Sequence, residues 1–88
     1  MAVLTRYWVT FDGNPGYGLG MGVGVTAWNV EDALQLVTDA LSTYGPLPPI
    51  AKVIEDVDVS TLDARHVIPN MDPPIWRGVW FPRLGPLT

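Results

Sequence analysis

Three groups of residues have types and spacings that could do chemistry. The first is Glu55-Asp56-Val57-Asp58, with Asp63 behind it. In an extended chain Asp56 and Asp58 share one face, about 7 Å apart. Two such carboxylates can flank a divalent cation or a scissile bond, or offer a negative patch to a basic protein. A cation would want a third ligand, and His66 is the only imidazole in the sequence. The second group is His66 itself, in Asp63-Ala64-Arg65-His66. It offers a base without a nucleophile: there is no cysteine, and Ser42 and Ser60 are explained by a helix end and a cap. The third group is aromatic. Trp8, Trp76 and Trp80 all fall at even positions of β-like runs, and Arg77 adjoins Trp76. Trp and Arg are favoured anchors at protein interfaces. The same rings can instead lie across bare glycine backbone within a sheet.

The glycines that would receive them stand at 16, 18, 20, 22 and 24, alternating with Tyr17, Leu19, Met21, Val23 and Val25. This is a period of two, hence a strand with one apolar face and one bare face. It is not a nucleotide loop. The dinucleotide fingerprint needs glycine at i, i+2 and i+5, and glycines at even positions alone cannot supply i and i+5. Starting from Gly13 fails because Pro15 follows. A phosphate loop needs Gly-Lys-Ser/Thr, and no lysine precedes Lys52.

The elements around these groups are legible from periodicity. Residues 3–11 are rich in β-branched and aromatic types, with Val3, Tyr7, Val9 and Phe11 on one face, and read as a strand. Asp12-Gly-Asn-Pro-Gly16 then makes a turn into the glycine-alternating strand, 16–28. Asn29 caps a helix over about 30–43, with Glu31 and Asp32 in its first turn. Val30, Ala33, Leu34, Val37, Ala40, Leu41 and Tyr44 form its apolar stripe, and Gly45-Pro46 ends it. Residues 50–59 read as a third strand, and Ser60-Thr-Leu-Asp63 opens a short second helix near 61–66. Residues 75–81 make the last strand, ended by Pro82 and a loose tail over 83–88. The expected fold is α+β: a two-layer sandwich with a mostly antiparallel sheet of about four strands, ordered β-β-α-β-β, and one main amphipathic helix. The helix stripe should cover the odd-numbered face of the first two strands. The sequence leaves the strand order open: the last strand could pair with the first or with the third.

Composition narrows the function. The 88 residues make one small domain. Without cysteine there is no disulfide framework and no thiolate chemistry. Met1–Gly13 lacks a basic segment followed by an apolar core, so no signal peptide is expected, and no run is long enough to span a bilayer. A cytoplasmic protein is the default. The net charge is −4, which argues against a phosphate-backbone binder. Residues 12–63 hold eight acids against Lys52 alone. Such an acidic middle can steer a basic partner.

Residues 25–82 add a resemblance. Ala-Trp-Asn-Val-Glu-Asp-Ala-Leu-Gln-Leu-Val (27–37), the block from Ile54 to Asp63, His66–Met71 and Pro73–Pro82 resemble the small acidic immunity proteins encoded beside bacterial polymorphic and contact-dependent growth-inhibition toxins. That resemblance implies a non-catalytic protein that caps a toxin, often a basic nuclease. No binding residues carry over from it. The residues themselves nominate Asp56, Asp58, Asp63 and Asp72 for charged contacts and Trp76 and Arg77 as anchors. We expect no catalytic residue, no metal and no cofactor. The alternatives are a homo-oligomer built through the Trp/Gly face, a phage-type inhibitor of host defence, and a small metal-binding enzyme using Asp56, Asp58 and His66.

Overall fold

The computed structural model describes residues 3–12, 22–41, 49–62, 64–65 and 67–82. Four strands and one helix follow in chain order: β1 (Thr5–Phe11), β2 (Val23–Ala27), α1 (Val30–Leu41), β3 (Ile50–Glu55) and β4 (Gly78–Phe81). Two single turns of 3-10 helix, Val59–Thr61 and Ile68–Asn70, lie between β3 and β4. The sheet is antiparallel throughout, in the order β3-β1-β2-β4. The chain is thus the expected α+β domain. The strand order, which the sequence leaves open, places the last strand beside β2. Residues 16–21 of the glycine-alternating strand, 42–43 of the expected helix, Tyr44, Gly45-Pro46, Asp63, His66 and the tail 83–88 lie outside the described residues.

The helix begins where its sequence says. Asn29 Oδ1 accepts the Asp32 backbone N–H at 2.8 Å, and Asn29 O accepts that of Ala33 at 2.9 Å. The side-chain bond satisfies one of the donors left over at a helix start, and the bond to the Asn29 carbonyl is the first of the helical ladder. Ala33, Val37 and Leu41 then face the sheet. They close a core with Tyr7 and Val9 of β1 and Val23, Val25 and Ala27 of β2. This is the odd-numbered face, covered by the helix as the alternation required.

The opposite face carries a second core that periodicity alone does not announce. Trp8, Val57, Val67, Trp80 and Phe81 are buried together, with Val59, Leu62 and Met71 packed around them. The irregular chain after β3 therefore roofs the even-numbered face. β4 reaches it through a register shift at Gly24/Val25: Val79 pairs with Val25 and Phe81 with Gly24, leaving Trp80 as an extra residue. A bulged residue resets strand alternation, so Trp80 and its neighbour Phe81 both enter this core.

Glycine makes room for both rings. A Cβ on Gly24 would sit 2.3–2.6 Å from the Trp80 ring. At Gly22, where φ is +107°, it would sit 2.7 Å from Trp8 Nε1. The Trp8 ring lies 5.9 Å from that of Trp80 and 5.6 Å from that of Phe81, centroid to centroid. Aromatic pairs at such distances contribute about 0.5–1.5 kcal/mol beyond their buried area.

The strands are shorter than their sequence patterns, and at β3 and β4 the cause is visible. β3 stops at Glu55 because Asp56 takes a left-handed φ of 55° and Val57 N–H then donates to Arg6 O at 3.1 Å. The expected helix near 61–66 is instead the 3-10 turn Val59–Thr61. Its cap is Asp58, which accepts Ser60 N–H at 3.0 Å and Ser60 Oγ–H at 2.7 Å. β4 begins at Gly78 rather than residue 75 because Gly78 lies opposite Thr26 and β2, its ladder partner among the described residues, ends at Ala27.

Candidate functional site

The segment Asp72-Pro-Pro-Ile-Trp-Arg77 leads into β4. Its prolines fix two φ angles and narrow the unfolded ensemble, which lowers the cost of ordering it. We call it the strap, because the body of the protein holds it down at three places. At its start, Asp72 N–H donates to Trp80 O at 2.8 Å. In its middle, the Thr26 hydroxyl donates to Pro74 O at 2.6 Å and accepts the Trp80 indole N–H at 3.1 Å. Thr26 is the buried polar residue of β2. Its one hydroxyl thus satisfies a buried donor, the Trp80 indole N–H, and a half-buried acceptor, the Pro74 carbonyl.

At the strap's end, Arg77 meets Asp32 in the first turn of α1. Arg77 Nε donates to Asp32 Oδ2 at 2.9 Å and Nη2 to Oδ1 at 2.5 Å. This two-pronged pairing fixes orientation as well as distance. Asp32 Oδ2 also accepts the Trp28 backbone N–H at 3.0 Å. The Arg77 hydrogen bonds, and after them the Trp28 N–H, hold the Asp32 carboxyl down at about 2. The Arg77 guanidinium is correspondingly raised above its ordinary value by Asp32.

Between these fastenings the strap presents Ile75 and Trp76 outward, 59% and 69% exposed. Trp28, 49% exposed, follows the end of β2 and immediately precedes the helix cap. Two hollows flank the strap. One, of about 290 Å³, is lined by Asp72, Pro73, Trp76, Arg77 and Gly78 with parts of Val79 and Trp80. The other, of about 250 Å³, is lined by Leu4, Arg6, Thr26, Asp56, Pro74 and Ile75. An apolar crest on an ordered backbone, edged by charged hollows, is what a protein-binding surface requires.

The fold gathers only part of what the sequence nominated. Asp72, Trp76 and Arg77 come together at one hollow, and Asp56 lines the other. Asp58 stands apart as a turn cap. The Ser60 hydroxyl, then its backbone N–H, lower the pKa of the Asp58 carboxyl below the usual value. With β3 ending at Glu55, Asp56 and Asp58 are not paired on a strand face. Asp63 lies outside the described residues. Arg77 is engaged with Asp32 and Trp80 covers Gly24, so of the nominated anchors Trp76 is the one presented whole. Sequence reasoning missed Thr26, Asp32, Ile75 and Trp28. Thr26 had a signal, as the lone hydroxyl in a run of small apolar residues. Asp32 had one too, at the third helical position after an Asn cap.

Among the described residues, no three His, Cys, Asp or Glu side chains gather as metal ligands would. No helix among them is long and apolar enough to cross a membrane. No protein-family model, curated protein or solved structure matched the chain.

Proposed function

We propose that this chain is a non-catalytic protein-binding domain of the immunity type, a cytoplasmic inhibitor that neutralises a bacterial toxin by docking through the strap. The observation that carries this reading is the exposure of Ile75 and Trp76 on a backbone fastened at both ends. Leaving a large apolar pair in water forgoes burial energy, and a partner that covers it recovers that energy without having to order the loop. The net charge of −4 favours a basic partner by steering its approach. The resemblance of residues 25–82 to immunity proteins points to a toxin, a basic nuclease being the form that suits the charge.

The test is growth rescue. The genes neighbouring this one are expressed singly in a susceptible host, with and without the chain. One neighbour should be toxic alone and harmless with the wild-type chain, and the two products should copurify in equal amounts. Trp76→Ala should abolish rescue while leaving the chain's circular dichroism and unfolding midpoint unchanged. Rescue by Trp76→Ala equal to wild type would remove the strap from the interface. A set of harmless neighbours would overturn the immunity reading. A stable dimer of the chain alone, lost on Trp76→Ala, would replace the toxin by a second copy.

A further inference from the structure

The two edges of the sheet are treated differently. At β4 the outward backbone is met by the strap, with Asp72 N–H on Trp80 O. At β3, β1 is hydrogen-bonded along one side, and no strand among the described residues pairs with the other. Five of the six side chains of Ile50–Glu55 are exposed, and Val53 is half-buried. The segment contains no proline. Six extended residues make an edge about 20 Å long, with the N–H and C=O groups of alternate residues turned away from β1 and unpaired with any strand among the described residues, the feature to which an added strand binds.

The charges around this edge have a pattern. Glu55 and Asp56 stand at one end, and Asp12, whose N–H donates to Pro49 O at 2.8 Å, stands at the other. Lys52 is the single base between them. Among the described residues, the Glu55, Asp56 and Lys52 side chains make no ion pair. A second copy of the chain fits this pattern badly. An antiparallel pairing that sets Ile50 against Ile54 sets Lys52 against its own copy, and like charges directly opposite destabilise a sheet. Centring on Val53 instead sets Ile50 against Asp56.

We infer that the β3 edge accepts an extended segment of another protein as a fifth strand, one with Lys or Arg near both ends, apolar residues between, and an acidic or neutral residue opposite Lys52. Asp56 also lines the hollow beside Pro74 and Ile75, but Ile50–Glu55 lies at the sheet edge away from β4, and the proposal does not depend on Trp76.

The test uses the whole 15N-labelled chain and a synthetic peptide, Lys-Val-Thr-Glu-Val-Thr-Lys. Binding should slow amide exchange within Ile50–Glu55 and shift their resonances. The double variant Glu55→Lys/Asp56→Asn, at exposed positions and with an Asn that tolerates the left-handed φ, should bind about tenfold more weakly. Trp76→Ala should bind as wild type does, so loss of the strap reading leaves this one standing. A charge-reversed peptide, Glu-Val-Thr-Lys-Val-Thr-Glu, should not protect the edge. Equal protection by both peptides, or none by either, would overturn the proposal. So would concentration-dependent protection of β3 without peptide, which would assign the edge to a second copy.

Discussion

The four tryptophans divide into two pairs, and the division separates what holds the fold from what faces outward. Trp8 and Trp80 are 6% and 1% exposed, whereas Trp28 and Trp76 are 49% and 69% exposed. Residue type does not explain this, nor does chain parity, since all four stand at even positions. The buried pair lies against glycine: Trp8 is opposite Gly24 in the β1–β2 ladder and packs on Gly22, and the Trp80 ring fills the space a Gly24 side chain would need. The exposed pair lies outside the strands, beyond Ala27 and before Gly78. A tryptophan in this protein is buried where a neighbouring strand leaves its backbone bare, and displayed where the ladder has ended.

The largest effect should come from removing a ring of the buried pair. Trp80→Ala empties the second core and leaves the Thr26 hydroxyl without its indole donor. The expected loss is about 3–5 kcal/mol, read from urea unfolding. Trp76→Ala should stay within about 0.5 kcal/mol of wild type, as an exposed substitution with no packing role. Comparable losses from the two would break the comparison. Thr26→Val comes next. It keeps the shape of a β2 residue but leaves Pro74 O and Trp80 Nε1 unpartnered, at about 1–3 kcal/mol. Because Thr26 joins the buried tryptophan to the strap, the Ile75 and Trp76 amides should exchange faster in this variant. Unchanged exchange there would show that the strap is held without Thr26.

The same contrast marks how far the sequence could be read. Alternation in 3–11 and a capped apolar stripe in 29–41 identified the helix-side core because each element presents one continuous face. The even-numbered face was harder. Its cover comes from Val57, Leu62, Val67 and Met71, which have no shared period, so only the tertiary fold reveals it. Trp76 was grouped with Trp8 and Trp80 by parity, but parity has meaning only inside a ladder. The Asp56-x-Asp58 spacing imitated strand alternation in the same way. Asp58 in fact accepts from Ser60 two residues on, a local hydrogen bond that competes with extension. The strap was legible in its outward residue, Trp76. Its fastenings were not, because Thr26 and Asp32 lie some 45 or more residues away in sequence.

A gentler test acts on the end of the strap. Asp32 is held at about 2 in the folded chain against 3.8 for an unperturbed carboxyl, first by Arg77 and then by the Trp28 N–H. A lowered folded value means stability that is full above about pH 4 and is lost as pH falls toward 2. Asp32→Asn should therefore lower stability above about pH 4 and flatten the acid limb within that window, its curve converging with that of wild type as pH falls toward 2. Arg77→Met, which leaves the helix cap intact, should flatten it in the same sense. Superimposable curves for wild type and both variants would mean that the Arg77–Asp32 pair adds no measurable constraint to the strap.

The smallest effect is expected at Asp56, and its smallness is informative. This residue occupies a left-handed conformation at φ 55° and lines the hollow beside Ile75 without making an ion pair among the described residues. Glycine would relieve about 1 kcal/mol of left-handed strain, less for an aspartate, which tolerates that region. It would also add about 0.5–1 kcal/mol of unfolded-chain entropy. The two oppose each other, so Asp56→Gly should leave the unfolding midpoint within about 0.5 kcal/mol of wild type. Asp56→Val carries a β-branched side chain into the same φ and should lose about 1–2 kcal/mol. If both hold, the backbone at 56 governs the fold and the carboxylate is spare. Asp56 then belongs with Trp76, as a group presented outward at no structural gain, and Asp56→Gly becomes a clean way to measure what that carboxylate does for a partner. A loss well above about 1 kcal/mol for Asp56→Gly would instead give the carboxylate an intramolecular role and move it to the side of Trp8 and Trp80.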